Sequence, residues 1–250
     1  MPTPFTHLKA AQDLLADPAL LTDAHNFLQR ECSAFLLGNI AADARISSGL
    51  KRDDTHFYRY DQPMHNHPWR VMLEGYPTLK QPHSDTHRAF LAGYVAHLSM
   101  DEIWTLHMLR PRFVEPRWAD DKFRFFMLHI LLVYADERDY AQLEAWQSAA
   151  LGDAQAEDWL PFMPDADLHH WRDFIQQQLV GESETLQVFG QRTGKSEAEF
   201  RAILDSRQRL QDNLWDNVPR AALEQVDKRM YTFAREQMLV YLDETASTRV

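Results

Sequence analysis

Residues 93–109 read GYVAHLSMDEIWTLHML, and this stretch decides how the rest of the chain is interpreted. In an α-helix, with about 100° of rotation per residue, His97 and Asp101 lie about 40° apart on one face, and His107 lies about 80° to the other side of His97. An imidazole and a carboxylate one turn apart can chelate a divalent metal. Because a single pair at this spacing is more often only hydrogen-bonded or solvated, further ligands have to come from elsewhere in the sequence.

The composition is that of a folded protein whose metal ligands, if any, are not thiolates. Apolar residues make up 45% of the chain and aromatic residues 12%, which is enough for a hydrophobic core. The formal net charge is −11 and no run of Lys and Arg occurs, so we expect no nucleic-acid partner. Cys32 is the single cysteine, which leaves His, Asp and Glu as ligands, and twelve histidines are available.

The chain shows no targeting or membrane-spanning pattern. The N-terminal stretch lacks a basic region followed by an apolar run. The longest apolar run, residues 127–135, is too short to cross a bilayer and contains a histidine. We therefore expect a soluble, cytoplasmic protein without a transmembrane segment, and the sequence leaves its oligomeric state open.

Helical periodicity runs along the whole chain, and only 8 of 250 residues are glycine, which predicts a single all-α domain. We expect residues 1–135 to carry the metal site and residues 136–250 to cover it with further helices. Helices are predicted over residues 6–16, 23–38, 69–75, 84–110, 120–134, 137–151, 165–179, 182–193, 196–211 and 219–242. Gly38 is expected to end the second of these, and Pro111 the fourth. Residues 39–68 are predicted to form a loop, and a loop of that length in a compact domain usually has a function.

Three earlier segments offer matching ligands. His7 lies at the start of the first helix, Asp43 follows the second helix in GNIAADA, and His56 precedes aromatic residues in THFY. None of these residues alone is a strong indication of a metal ligand. An Asp after a helix, for example, is usually a turn former. Together with AFLAGYVAHLSMDEIW, however, these segments resemble the zinc-dependent phospholipase C family, which shares its fold with S1/P1-type nucleases. The family's ligand order is met over residues 1–135 by His7, Asp43, His56, His97, Asp101 and His107.

The resemblance implies an all-α fold that holds two zinc ions, and in the family up to three. The first ion would be held by four side chains: Asp43, His56, His97 and Asp101. The second would be held by His7 and the bridging Asp101, and in the family also by the terminal amine. His107 would belong to the third site, whose partner in the family is a His-x3-carboxylate on the following helix.

That third site is incomplete in this chain. His129 lies on the right helix, but Val133 stands where the carboxylate is expected, so a buried core histidine is an equally good interpretation of His129. His87 faces the same arc as His97 and is expected to support a ligand rather than to bind metal itself.

The function implied by the resemblance is that of a metal-dependent phosphoric-ester hydrolase similar to phospholipase C. Three neutral imidazoles and two carboxylates carry a charge of −2, and a water held between two divalent cations becomes hydroxide near neutral pH. Asp43 would orient this water or accept its proton, and the substrate would be a small phosphoester or a phospholipid headgroup. Two alternatives remain open: a non-catalytic metal-binding or interaction protein on the same fold, and an S1/P1-like nuclease, against which the negative charge counts.

Overall fold

Helices form the whole regular structure of the protein, as a computed structural model that describes residues 1–246 shows. No strand lies within those residues, so the predicted all-α class is confirmed. No helix within the same range is long and apolar enough to cross a membrane. The α-helices are α1 Pro4–Leu15, α2 Thr22–Arg30, α3 Cys32–Ala41, α4 Arg45–Ser48, α5 Arg52–His56, α6 Pro68–Gly75, α7 Asp85–Trp104, α8 Asp121–Tyr140, α9 Trp146–Gly152, α10 Asp165–Val180, α11 Thr185–Thr193, α12 Glu197–Leu204, α13 Arg207–Leu210 and α14 Arg220–Ala246.

Helix α7 is the central element of the fold. It is buried on all sides along most of its length, from Ala89 to Trp104, and it packs between α3 and α14. A helix that is apolar all round has to be enclosed by others. Its polar residues, His97 and Asp101 among them, are therefore held inside the protein rather than on its surface.

The contact between α3 and α7 depends on two glycines. A Cβ atom at Gly38 would lie 1.9 Å from the carbonyl oxygen of Phe90, and one at Gly93 would lie 2.3 Å from the carbonyl oxygen of Phe35. Only glycine lets two helix backbones approach this closely. The prediction that Gly38 ends a helix was therefore wrong: α3 continues to Ala41, and Gly38 is an interior contact point.

Residues 39–68 are more helical than predicted. The end of α3, a 3-10 turn at Ala42–Ala44, α4 and α5 all lie within the predicted loop. Each of these elements is too short to show periodicity, which explains why the sequence did not predict them. The predicted helix over residues 23–38 is also divided, with a break at Glu31 between α2 and α3.

The long helix that contains the metal-binding motif does not stop at Pro111. It continues from α7 as a π-helical segment, Thr105–Val114. The wider turn accommodates a proline, which has no amide hydrogen to donate, and the amide of Glu115 bonds to the carbonyl oxygen of Arg110 five residues earlier. From Thr105 onward the rotation per residue differs from that of an α-helix, so the predicted angular position of His107 does not hold.

The second half of the chain follows the prediction more closely. The helices predicted over residues 165–179, 182–193 and 219–242 correspond to α10, α11 and α14. The helix predicted over 196–211 is divided into α12 and α13. The one predicted over 120–134 extends to Tyr140 as α8, so the one predicted over 137–151 is reduced to α9, Trp146–Gly152.

Candidate metal centre

Five of the six predicted metal ligands meet at one place in the protein interior. They come from four separate elements: α1, the 3-10 turn after α3, α5 and α7. Four of the five side chains are fully buried, and the fifth, Asp43, is 4% exposed. We call this group the His/Asp cluster; it consists of His7, Asp43, His56, His97 and Asp101.

The ligand atoms of the cluster are separated by distances that suit a shared metal ion. Asp101 is its centre: its Oδ2 lies 3.3 Å from Nε2 of His56 and 3.8 Å from Nε2 of His97, and its Oδ1 lies 3.6 Å from Nε2 of His7. Nε2 of His56 lies 3.6 Å from Oδ1 of Asp43. Two ligands that each bind a metal at about 2.0–2.1 Å in tetrahedral geometry are about 3.3 Å apart. These groups could therefore hold a metal ion with only small side-chain movements.

Hydrogen bonds fix which nitrogen of two imidazoles is free to bind a metal. Nδ1 of His97 donates to the backbone carbonyl oxygen of Asn39 at 2.8 Å, which leaves the lone pair on Nε2. The Thr55 hydroxyl donates to the Arg52 carbonyl oxygen, so it accepts from Nδ1 of His56 at 2.9 Å. In both cases Nε2 is presented to Asp101, the arrangement by which proteins orient metal-binding histidines.

The electrostatics of the cluster favour neutral imidazoles at His56 and His97 and an ionised carboxylate at Asp101. Burial lowers the pKa of His97 to about 4, and neighbouring His7 adds to this effect. Burial likewise holds the pKa of His56 well below its usual range. Burial would raise the pKa of the Asp101 carboxyl, but the surrounding imidazoles outweigh it and hold that pKa far below its ordinary value. Neutral imidazole and ionised carboxylate are the forms that bind metal.

Several buried atoms in the cluster have no hydrogen-bond partner among residues 1–246. Neither ring nitrogen of His7 makes a hydrogen bond, and Oδ1 of Asp101 makes none. The His7 ring instead stacks on His97 with 3.8 Å between ring centroids. A buried polar group without a partner costs about 1–3 kcal/mol. A cation held between these atoms would remove that cost, so the donor set fits a divalent metal.

Arg52 is the cation that contacts the cluster in this structure. Its Nη2 lies 3.4 Å from Oδ2 of Asp101 and 2.6 Å from the hydroxyl of Tyr58. The guanidinium is also enclosed by the rings of Tyr58 and Tyr60, with centroids 4.3 and 4.2 Å away. Arg52 thus neutralises part of the negative charge of the cluster.

The structure does not bring His107 to the cluster. His107 lies on the π-helical segment, where its Nδ1 accepts a hydrogen bond from Arg229 of α14 at 3.2 Å. It lines a shallow surface groove between these two elements. Partial burial and the nearby guanidinium of Arg229 lower the pKa of His107.

The two remaining histidines of the prediction also lie outside the cluster. His129 is half-buried on α8, where its Nδ1 donates to the carbonyl oxygen of Phe125 at 2.6 Å. Nδ1 of His87 lies 2.6 Å from Nδ1 of His83, and its Nε2 donates to the carbonyl oxygen of Trp159 at 2.9 Å. His87 therefore supports a contact between α7 and the segment after α9, not a ligand of the cluster.

A cleft of about 220 Å³ reaches the cluster from outside. Of the five cluster residues, Asp43 lines it, and His129 lines it from the opposite helix. We call it the Asp43 cleft; its other lining residues include the charged Arg45, Arg52 and Arg192, and the apolar Leu128, Leu132, Trp171, Phe174, Ile175, Val188 and Phe189.

The arginines of the cleft were missed by the sequence interpretation. Arg45 follows Asp43 by two residues, and this proximity is the one signal for it in the sequence. Arg192 comes from the end of α11, in the half of the chain that was predicted only to cover the metal site with helices. No local pattern signals Arg192, since its place beside Asp43 follows from helix packing alone.

Comparisons of the chain with protein-family models, with curated proteins and with solved structures find no match.

Proposed function

We propose that the protein is a metal-dependent phosphoric-ester hydrolase of the phospholipase C type, with two zinc ions in the His/Asp cluster. The observation that carries the proposal is the position of Asp43, which lies at the edge of a buried set of three imidazoles and two carboxylates and also lines the cleft. A bound divalent cation would supply an acidified water and would neutralise charge on the phosphate oxygens.

The roles of the residues follow from their positions. His97 and His56 present Nε2 toward Asp101, which joins the two ends of the cluster. Asp43 is placed to orient the attacking water or to accept its proton, because its carboxylate is within reach of both the cluster and the cleft. The phosphate ester enters through the Asp43 cleft, and its leaving group departs into the same cleft.

A structural metal site without turnover is the competing function. It is favoured by the complete burial of His7, His56 and His97, because closed sites are typical of structural metals. The two functions differ in what Asp43 does: a hydrolase needs this carboxylate for chemistry, whereas a structural site needs it only for affinity.

The first experiment measures metal content. Tag-free protein is analysed by inductively coupled plasma mass spectrometry, and we expect about one to two zinc ions per chain. His97→Ala should lose most of this metal, whereas His170→Ala, which removes an exposed histidine, should keep it. A wild-type protein with no bound metal, even after incubation with zinc, would refute the proposal.

The second experiment measures hydrolysis of bis(p-nitrophenyl) phosphate. We expect activity that a chelator abolishes and zinc restores, and we expect Asp43→Asn to lose about 100-fold or more. Protein that binds zinc fully but does not hydrolyse this or any other phosphodiester offered would favour the structural site instead.

A further inference from the structure

Two arginines in the Asp43 cleft form neither a side-chain hydrogen bond nor an ion pair with residues 1–246. Arg45 lies at the start of α4 and Arg192 in the last turn of α11, and both line the cleft beside Asp43. Nε of Arg45 is buried without a hydrogen-bond acceptor. Within residues 1–246 neither guanidinium forms an ion pair, although the chain has 37 acidic residues. The Arg45 guanidinium is therefore partly desolvated and unpaired, which is unusual in a folded protein, whereas the Arg192 side chain is exposed.

The two arginines also oppose each other electrostatically. Partial desolvation in the cleft, together with the nearby positive charge of Arg45, lowers the pKa of Arg192, and the carboxylate of Asp43 offsets this only in part. Arg52 does not share this situation because it contacts Asp101 and Tyr58. Like charges held together are destabilising when a single carboxylate offsets them only in part, so the pair is an arrangement that an incoming anion would stabilise.

Most of the other residues that line the cleft are apolar. Phe174, Val188 and Phe189 line it together with Leu132 and Ile175. The Arg192 guanidinium lies 5.9 Å from the ring centroid of Phe189, so the charged and apolar parts of the wall adjoin. A ligand that fits both parts has an anionic group at one end and an apolar group at the other.

We propose that Arg45 and Arg192 form an anion-binding subsite that holds the phosphate group of an ester with an apolar substituent. The inference rests on the proposed function and narrows its substrate class. Two guanidiniums can offer several parallel N–H donors to the oxygens of one phosphate. A substrate group with a positive charge is disfavoured, since the cleft has three arginines and only one carboxylate. This argues against a cationic phospholipid headgroup and for an anionic ester with an apolar leaving group.

The test measures ligand binding to the full chain, both as purified and after chelator treatment, by isothermal titration calorimetry. The probes are phenyl phosphate, inorganic phosphate and phenyltrimethylammonium. We expect phenyl phosphate to bind most tightly, inorganic phosphate more weakly, and the ammonium compound not at all. Arg45→Gln and Arg192→Gln should each weaken phenyl phosphate binding by about tenfold, and the double variant by about 100-fold.

The matched control is Arg207→Gln, which removes an exposed arginine on α13, and it should bind like the wild type. Thermal unfolding separates a binding role from a structural one. Arg45→Gln should melt no lower than the wild type because Arg45 has no hydrogen bond or ion pair to lose, and Arg192→Gln should melt only slightly lower because it loses the contact with the Phe189 ring. Variants that bind phenyl phosphate like the wild type, or an ammonium probe that competes with it, would overturn the proposal.

The two proposals fail in different ways. Phosphate binding that depends on Arg192 and persists in a protein that takes up no metal would refute the hydrolase and keep the anion subsite. Metal-dependent hydrolysis with unchanged phenyl phosphate binding and unchanged KM in both arginine variants would keep the hydrolase and refute the subsite.

Discussion

Nδ1 of His97 donates a 2.8 Å hydrogen bond to the backbone carbonyl oxygen of Asn39, and this bond joins the central helix α7 to the end of α3. Asn39 lies one residue after Gly38, where the two helix backbones are in contact. Asp43 follows in the next turn of the same segment. The packing of two helices through glycine thus sets the position of two cluster residues at once, and the geometry of the candidate metal centre depends on the core around it.

Metal removal should lower the stability of the protein. A ligand that binds only the folded state stabilises it by about 2.7 kcal/mol at a concentration of 100 times its Kd, which corresponds to a rise in Tm of roughly 5–10 °C for a chain of this size. We expect chelator-treated protein to melt that much lower, and zinc to restore the transition. His97→Ala should show no zinc response, whereas His170→Ala should respond fully. A response that persists in His97→Ala would place the metal elsewhere.

Gly93→Ala should disturb the candidate metal centre without touching any ligand. The added Cβ would lie 2.3 Å from the carbonyl oxygen of Phe35, a backbone atom that cannot rotate away. We expect the free energy of unfolding to fall by about 3 kcal/mol, because overpacking forces the backbones apart. Zinc affinity should fall as well, since Asn39 moves with α3. Both are measured on the same protein, by urea unfolding and by zinc titration.

Gly75→Ala is the matched control. Gly75 lies at the end of α6, and a Cβ atom there has no neighbour within 4 Å. We expect an unchanged or slightly higher stability, by up to about 1 kcal/mol, because alanine restricts the unfolded chain. If both alanine variants are equally stable, the close contact between α3 and α7 does not exist in solution.

The sequence predicted the parts of this protein that depend on long patterns. The apolar character of α7 continues over 20 residues, so its existence and its central place could be inferred from periodicity. The residue types of the cluster were found because His97 and Asp101 share a turn, and because the order of His7, Asp43 and His56 before them resembles a known arrangement.

The remaining features depend on packing between distant segments. Helices α4 and α5 have only four and five residues, which is too few for a periodic signal. His107 lies on the π-helical turns that begin at Thr105, where it contacts Arg229 of α14 instead of joining the cluster. Arg192 reaches the cleft only because α11 packs against α8, and no spacing in the sequence encodes that contact.

Asp136 should make stability depend on pH in the direction opposite to that of most acidic residues. Burial raises the pKa of its carboxyl from 3.8 to about 6, although the Ser183 hydroxyl donates to its Oδ2 at 3.2 Å and the nearby hydroxyls of Thr3 and Thr185 also favour the ionised form. Between pH 4 and 6 the folded state therefore holds a proton that the unfolded state has released, and this contribution to stability is lost as the pH rises toward 6 and above.

Asp136→Asn tests this expectation by replacing the protonated carboxyl with a neutral amide of the same shape. We expect the variant to be more stable than the wild type at pH 7, by up to about 3 kcal/mol, and close to the wild type at pH 4. Urea unfolding at both values measures the difference, and Asp153→Asn, on an exposed aspartate, should show none. A stability loss at pH 7 would mean that the ionised carboxylate is needed by its hydroxyl partners.

Arg52→Gln should tighten metal binding while lowering the stability of the metal-free protein. The guanidinium lies 3.4 Å from Oδ2 of Asp101, where it competes with any cation for that carboxylate. A bound metal cation and the Arg52 guanidinium would both be positive and close to the same carboxylate. Their repulsion is enough to weaken the metal affinity by about tenfold, even when solvent screens it. Stability should fall because Tyr58 loses the 2.6 Å hydrogen bond that its hydroxyl accepts from Arg52.

Zinc affinity is measured by competition with a chromophoric chelator. It should rise in Arg52→Gln and stay unchanged in Arg59→Gln, where an exposed arginine paired with Asp61 is removed. A weaker affinity in Arg52→Gln would show instead that this arginine orients Asp101 for the metal, and that orientation outweighs charge at the centre of the cluster.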